Sequence, residues 1–495
     1  MSIPRRIGLA ATLLCLFGCG SGDGPTLSIS PRSATVTAGG PAVLFKASQS
    51  GSSNAISWAL TGPGSIAASS GAATSYLPPG SISAATTATL TASAGSSLNS
   101  SATITINPGG AITVVGKVLD NSFIPFAGAK VTIGTKSTLS DVNGHFSLSG
   151  VDFPYDLTVT LTSPEKLGVL YKGLTRTDPT ILVPESVAMA PNSGDVTGNL
   201  TGGDPLGMAT ETTMVAWGSP EIPFGKPSNP VFGNPYSLNL FWPGPSSTTG
   251  TVHALQWEVD ANALPTTYKG YGTRTGVTII NSGNANADIV MSPPATSTVA
   301  GTITIPASFN LDSTELALNF GDNSGISLGV DNSSSTSFSY PFPSGIGGTA
   351  MVTANASLSG TQVALSLSGI APGTTNAVLD IPSPSTAVLP PDVGMNVGTT
   401  TDFTWTSMTG AVYILSVFGP TGAPSYHVFT TATTARIPDL GSEGLGLPPA
   451  TQYAWTVVGL GPASSVDALA GPTSILPPGN TLFLSQAASR TFTTP

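Results

Sequence analysis

Charge is scarce in this 495-residue chain: Asp, Glu, Lys and Arg make up 8% of it, against about 25% in an ordinary soluble domain. What charge there is leans acidic, with 25 Asp and Glu, 15 Lys and Arg, and a formal net charge of −10. No cluster of cations occurs. That excludes nucleic acid as a partner, because neutralising phosphates takes grouped Lys and Arg. Cysteine occurs twice, at Cys15 and Cys19, so neither a disulfide framework nor a thiolate metal site is expected in the body of the chain. The three histidines, His145, His253 and His427, lie far apart in the sequence. With no His-Glu-x-x-His and no His/Cys pair, no metal and no cofactor are expected. Glu, Lys, Arg and Gln, the polar helix formers, are sparse throughout. No apolar run is long enough to remain in a bilayer as a helix.

Turn formers and short alternating strands fill the chain instead. Gly 58 and Pro 43 account for about a fifth of the residues, yet 40% are hydrophobic and the mean hydropathy is +0.24. A chain with that much apolar side chain folds rather than staying disordered. Its apolar residues recur with period two in runs of four to eight, broken by Gly, Pro and Ser. The pattern predicts an all-β protein of tandem β-sandwich domains, with helix nearly absent after residue 20.

The N-terminus has a separate logic. Arg5 and Arg6 precede a short apolar stretch from Ile7 to Gly18, the layout of an export signal that is cleaved. Leu16-Phe17-Gly18-Cys19 resembles the lipobox of bacterial lipoproteins. The resemblance implies a signal peptide over 1–18 and a lipid on Cys19, which makes the membrane the first partner. Residues 19–24, Cys-Gly-Ser-Gly-Asp-Gly, then serve as a tether. No Asp follows Cys19 directly, which is similar to cargo sent to the outer membrane of the cell envelope.

Five units follow. Residues 25–107 resemble bacterial immunoglobulin-like domains in Ser30-Pro31, Trp58-Ala-Leu-Thr-Gly62-Pro-Gly64 and Tyr76-Leu-Pro-Pro79. Residues 112–190 resemble the regulatory domain of carboxypeptidases, a transthyretin-like sandwich of seven strands. The likeness rests on Val115-Gly116-Lys-Val118, Ala127-Gly128-Ala129-Lys-Val131 and the Asp141-x-Asn143-Gly144-x-Phe146 turn. In that turn Asp141 and Asn143 bond their own backbone and Gly144 takes positive φ. Peptidase activity does not come with the resemblance. Val114-Val-Gly116-Lys-Val118 recurs as Val196-Thr-Gly198-Asn-Leu200 and as Val299-Ala-Gly301-Thr-Ile303. This internal repeat marks 191–295 and 296–382 as two more β-sandwiches. Residues 383–478 resemble a fibronectin type III-like sandwich through Phe403-Thr-Trp405 and Tyr453-Ala-Trp455-Thr-Val457. Residues 479–495 form a tail that adds one strand or frays. Placed end to end, such units would hold a tip away from the membrane.

Chemistry-bearing motifs are thin. Gly325-Ile-Ser327-Leu-Gly329 matches a nucleophile-elbow spacing, but no helical pattern follows it. Glu258 and Asp260 sit two apart on one strand and read as solvent-facing acids. No catalytic residue is assigned. Trp217 and Trp242, with Tyr236 between them, lie in a Pro/Gly-rich stretch that also holds Phe224 and Phe232. They are the candidate ligand contacts, because loop aromatics stack on sugars or dock partners. The expected function is a non-catalytic adhesive or scaffolding surface module with a protein or carbohydrate ligand. The alternatives are a carbohydrate-binding surface lipoprotein and an extracytoplasmic hydrolase.

Overall fold

A computed structural model describes residues 25–495 except 52–53, 81, 83, 96–97, 164, 185–191, 220–228 and 472–479. The signal peptide, Cys19 and the tether lie outside the described residues. Among the described residues there is no α-helix, only two short 3-10 turns at Gly441–Glu443 and Val466–Leu469. The chain is a multidomain all-β protein, built from tandem β-sandwiches. It divides into two compact units, Met1–Gly110 and Ala111–Pro495.

In the first unit, two four-stranded sheets face each other. One orders its strands Thr26–Ser30, Val43–Ser50, Ala73–Leu77 and Ser65–Ile66; the other orders them Ser33–Thr37, Leu98–Asn107, Thr86–Ala94 and Ile56–Thr61. Alternation does the sorting. In Leu98–Asn107, Ala102, Ile104 and Ile106 point inward while Ser101 and Thr103 are exposed. Trp58 is buried in the core, and its Nε1 donates to Gly71 O at 2.8 Å, so its one polar atom is satisfied.

The second unit contains one seven-stranded topology three times. In the first copy the strands run Ile112–Leu119, Lys130–Ile133, Lys136–Leu139, His145–Val151, Tyr155–Leu161, Leu167–Leu174 and Thr180–Leu182. The first strand lies between the fourth, antiparallel, and the seventh, parallel. The third, second, fifth and sixth strands form the facing sheet in that order. The same order recurs with first strands Asn192–Gly198 and Ala295–Thr304. The repeated Val-x-Gly motif lies within that first strand in each copy, inside it in the first and third and closing it at Gly198 in the second. Its glycine faces an aromatic in register each time: Gly116 opposite Phe146, Gly198 opposite Tyr236, Gly301 opposite Phe338. A Cβ on Gly116 or Gly301 would collide with that ring and with a carbonyl of the segment leading into or forming the seventh strand, Pro179 O or Ala377 O; on Gly198 it would collide with Ala287 O. The motif therefore recurs for a steric reason.

The copies are not beads on a string. The sixth strand of the first copy pairs in parallel with Ser425–Thr430 of the C-terminal sandwich, matching Leu167–Tyr171 to Ser425–Phe429. The sixth strand of the third copy, Thr361–Ile370, pairs with Thr481–Gln486. One 14-stranded sheet thus runs through the first copy, the C-terminal sandwich and the third copy. Within this unit, spatial order differs from chain order, and the end-to-end arrangement expected from the sequence does not hold. Residues 480–495 carry two paired strands, Thr481–Gln486 and Arg490–Thr493, rather than a fraying tail. Side-chain ties reinforce the seam. Tyr171 stacks on Phe429 at 4.0 Å, Lys130 Nζ meets Glu443 Oε2 at 2.7 Å, and Asp467 accepts from Thr175 N and Oγ1 at 2.9 and 2.6 Å.

The middle copy is joined to the third differently, through a sheet covered on both faces. In Ser247–Val259, Val252 and Ala254 face the core of their own sandwich, whereas Leu255 and Trp257 pack with Leu316, Leu318 and Phe342 of the third. Every residue from Val252 to Trp257 is buried as a result. A sheet with no solvent face loses its alternation.

Candidate functional site

The aromatic cluster that the sequence offers as a ligand contact is interior. Trp217, Trp242 and Tyr236 are 0%, 1% and 2% exposed. Trp217 lies in the strand Glu211–Gly218, and Tyr236 and Trp242 open and close the strand Tyr236–Trp242. All three belong to the core of the middle copy. Trp242 Nε1 donates to Pro245 O at 2.9 Å, and Tyr236 Oη donates to Ala287 O at 2.5 Å. Among the described residues of this stretch, Gly233, Pro235, Gly244 and Pro245 lie in exposed turns, while the strand residues between them turn their aromatic rings inward at Tyr236 and Trp242. Gly250 leaves the space that the Trp217 ring fills, since a Cβ there would lie 2.5 Å from it. Phe232, at 79% exposure, and Phe241, at 46%, are aromatics of this region that do face solvent. Phe224 lies outside the described residues.

The Asp141 turn has the geometry of a self-bonded loop. Asp141 Oδ1 accepts from Asn143 N and His145 N, both at 2.8 Å, Asp141 O accepts from Gly144 N at 2.9 Å, and Gly144 has φ 74°. The carboxylate is occupied by the backbone. Asp120 behaves likewise at a neighbouring turn, accepting from Ser122 N and Ile124 N at 2.9 Å. No group of acids, His or Cys arranged to hold a metal ion occurs among the described residues.

Two polar constellations arise that the sequence does not announce. At one end of the middle sandwich, Lys269 Nζ lies 2.8 Å from Glu258 and 3.5 Å from Asp204. Buried Gln256 accepts from Asp204 N at 2.8 Å and donates to Glu211 Oε2 at 3.3 Å. Glu211 and Glu258 are cross-strand partners. The bond to Lys269 holds the Glu258 carboxyl below its usual range, whereas desolvation and the neighbouring Asp204 raise that of Glu211. This network caps the open end of the sandwich. Asp260, the other acid of the sequence pair, turns away to accept from Asn262 N and Leu264 N at 2.8 and 2.9 Å.

The second constellation joins the middle and third copies. His253 Nε2 lies 2.9 Å from Asp322 Oδ2, its Nδ1 lies 3.0 Å from Tyr271 Oη, and its ring stacks on Phe320 at 3.8 Å. Burial lowers the pKa of His253, partly offset by Asp322. The neutral ring is therefore fully used at neutral pH, donating from Nε2 to Asp322 and accepting from Tyr271. Gly218 makes room for this pair, because a Cβ there would overlap the Asp322 carboxylate. The chain Asp322–His253–Tyr271 resembles a proton relay in its connectivity, but Tyr271 is pushed up to about 12 by burial and by Asp322, the opposite of activation.

Ser327 sits at an exposed position in the middle of the strand Gly325–Asp331, opposite Ala317. The strand continues to Asp331 without an elbow. Open depressions occur among the described residues. One of about 440 Å³, beside the seam of the first copy with the C-terminal sandwich, is lined by Asp156, Lys172, Asp402 and Arg436. Arg436 is already paired with Asp402 at 2.6 Å, and Asp156 accepts from Gly173 N.

No protein-family model matches the chain, and no curated protein matches it. Several solved structures are similar over long stretches at low identity. The TIE protein of Bacillus anthracis is 9% identical, covering 74% of this chain and 75% of its own, with a TM-score of 0.18. The pilus adhesin SpaC of Lactobacillus rhamnosus GG, in its open conformation, is 9% identical over 77% of this chain and 55% of its own, at 0.13. A streptococcal ancillary pilin is 10% identical over 54% of this chain and 98% of its own, at 0.13. Scores this low carry no argument, and the fold stands on the chain's own strand pairing.

Proposed function

We propose that the chain is exported, lipidated at Cys19, and held at the outer membrane of the cell envelope as a non-catalytic adhesive or scaffolding body. The observation that carries this reading is the fused architecture of Ala111–Pro495. Its sandwich cores are filled by side chains, its polar clusters cap sandwich ends or join sandwiches, and one 14-stranded sheet ties three of the four sandwiches together. Such a body maintains fixed spacing between surfaces, which suits a scaffold. Within it, the first copy is read as a carboxypeptidase regulatory-like domain in an accessory role, and its topology recurs twice more.

Carbohydrate binding loses its specific support once Trp217, Trp242 and Tyr236 are interior, and a hydrolase finds no nucleophile geometry at Ser327. The anchoring test is direct. In the native host, the wild-type chain is expected in the detergent phase of fractionated envelopes, and Cys19→Ser in the aqueous phase or unprocessed. Identical partitioning of both forms refutes the lipid anchor.

A further inference from the structure

The chain contains two Asp–Pro bonds, Asp178–Pro179 and Asp204–Pro205, and the fold treats them differently. Asp204–Pro205 lies in the solvent-facing turn between the strands Leu200–Thr201 and Glu211–Gly218. One buried side chain clamps its backbone. Gln256, 0% exposed, accepts from Asp204 N at 2.8 Å through Oε1 and donates from Nε2 to Asp204 O at 3.1 Å. The same Nε2 reaches Glu211 Oε2 at 3.3 Å, which sets a carboxyl beside the Asp204 carbonyl. Lys269, also paired with Glu258, holds its Nζ 3.5 Å from Asp204 Oδ2. Gly202 and Gly203, with φ of 75° and 73°, allow this approach, since a Cβ on Gly203 would overlap Gln256 Oε1 and one on Gly202 would overlap Met291 O. At the other bond the Asp178 carboxylate is paired with Arg176 Nη2 at 2.6 Å, and Pro179 O accepts from Lys117 N of the first strand at 2.9 Å.

We propose that the chain cuts itself once, at the Asp204–Pro205 bond. The Asp204 carboxylate attacks its own backbone carbonyl carbon and closes a cyclic anhydride. The bond to the Pro205 nitrogen breaks, the electron pair stays on that nitrogen, and Glu211 supplies the proton it takes. Gln256 Nε2 donates to the carbonyl oxygen as negative charge gathers there. Solvent water then opens the anhydride to two carboxylates. Of the two protons released, one returns to Glu211 and one charges the Pro205 amine. One peptide bond and one water are consumed, and no other reactant is needed. Proline matters because its nitrogen carries no hydrogen, so it cannot attack the Asp204 side chain as an ordinary amide nitrogen would. Desolvation and Asp204 raise the pKa of Glu211, so it keeps its proton into milder acid than a free glutamate, which suits a general acid. The two pieces stay together after the cut. Asn192–Gly198 and Leu200–Thr201, upstream of it, pair with Tyr236–Trp242, Asn284–Asn286 and Ile289–Val290, downstream of it. This activity is confined to the chain's own bond and goes beyond the scaffold reading, on which it does not rest.

The full mature chain carrying Cys19→Ser is soluble for the test and is held at pH 5. Denaturing electrophoresis, intact mass and N-terminal sequencing follow it with time. Two fragments are expected, one ending at Asp204 and one beginning at Pro205, formed at a rate independent of protein concentration. Cutting at Asp204 should outpace cutting at Asp178 by about a hundred-fold, the low end of what a positioned general acid contributes. That excess should vanish in urea, where only the ordinary lability of an Asp–Pro bond remains. Asp204→Ala and Pro205→Ala should each abolish the cut, and Glu211→Gln should slow it by about a hundred-fold. Circular dichroism establishes that each variant is folded. A folded wild-type chain that stays intact overturns the proposal. So do equal cutting at the two Asp–Pro bonds, a rate that rises with protein concentration, and an unchanged rate in Glu211→Gln. None of these outcomes bears on the lipid anchor, which is read by fractionation.

Discussion

His427 makes the C-terminal sandwich sensitive to mild acid in a way that can be worked out. It lies in the strand Ser425–Thr430 at the seam with the first copy, 3% exposed, with Nδ1 2.9 Å from Ser416 Oγ, Nε2 without a partner, and the Phe418 ring edge-on at 5.6 Å. Burial alone pushes its pKa from 6.5 down to about 4. Above pH 6.5 the ring is neutral in both folded and unfolded chains, and stability is complete. As pH falls below 6.5 the unfolded chain takes up a proton that the folded chain refuses, so stability declines until about pH 4, where the folded ring also charges. At pH 5 the loss is about 2 kcal/mol. Urea unfolding of the Cys19→Ser mature chain at pH 7.5 and pH 5, followed by fluorescence of the core tryptophans, measures it. His427→Gln removes the titration, so the wild-type chain should lose about 2 kcal/mol more than the variant between the two pH values. Acid-sensitive groups common to both proteins, His253 among them, cancel in the difference. Equal pH dependence of the two chains would refute the reasoning.

Three further outcomes follow from packing. Trp242→Ala should cost about 3–5 kcal/mol in unfolding free energy, as loss of a core indole does; an unchanged denaturation midpoint would return the residue to the surface. Gly301→Val should destabilise the third copy by more than about 2 kcal/mol, because its side chain meets Ala377 O and the Phe338 ring; the urea midpoint reads this, and a neutral effect contradicts the steric account of the repeat. Asp322→Ala leaves buried His253 without its acceptor and should cost about 1–3 kcal/mol, with the His253 pKa, followed by NMR, falling further because the carboxylate that raises it is gone.

Much of this architecture is readable in residues, and the exceptions have physical causes. The Val-x-Gly-x-Val repeat finds the first strand of each copy because a glycine facing an aromatic is a local steric requirement. Trp58, Trp405 and Trp455 fall in alternating strands, and each is core. Trp217 and Trp242 misled because Gly and Pro around them suggest an exposed loop, although these residues serve turns and close approach there. Their strands show alternation only in part: Tyr236–Trp242 alternates cleanly, whereas Val215–Gly218 is buried throughout, having a neighbour on each face. The seam between Leu167–Leu174 and Ser425–Thr430 joins residues about 260 apart in the sequence and has no local signature, since backbone pairing is indifferent to side-chain identity. The His253–Asp322 pair is invisible for the same reason, as its partners meet only when two sandwiches dock.

The central claim is that the first copy, the C-terminal sandwich and the third copy form one body through shared strands, and native-state hydrogen exchange on the soluble mature chain tests it most directly. The amides of Leu167–Tyr171 and Ser425–Phe429 should open with a common free energy, close to that of global unfolding of the unit, and Thr361–Ile370 should open with Thr481–Gln486. Separate opening of residues 112–190 at markedly lower free energy, with the Ser425–Phe429 amides still protected, would contradict it.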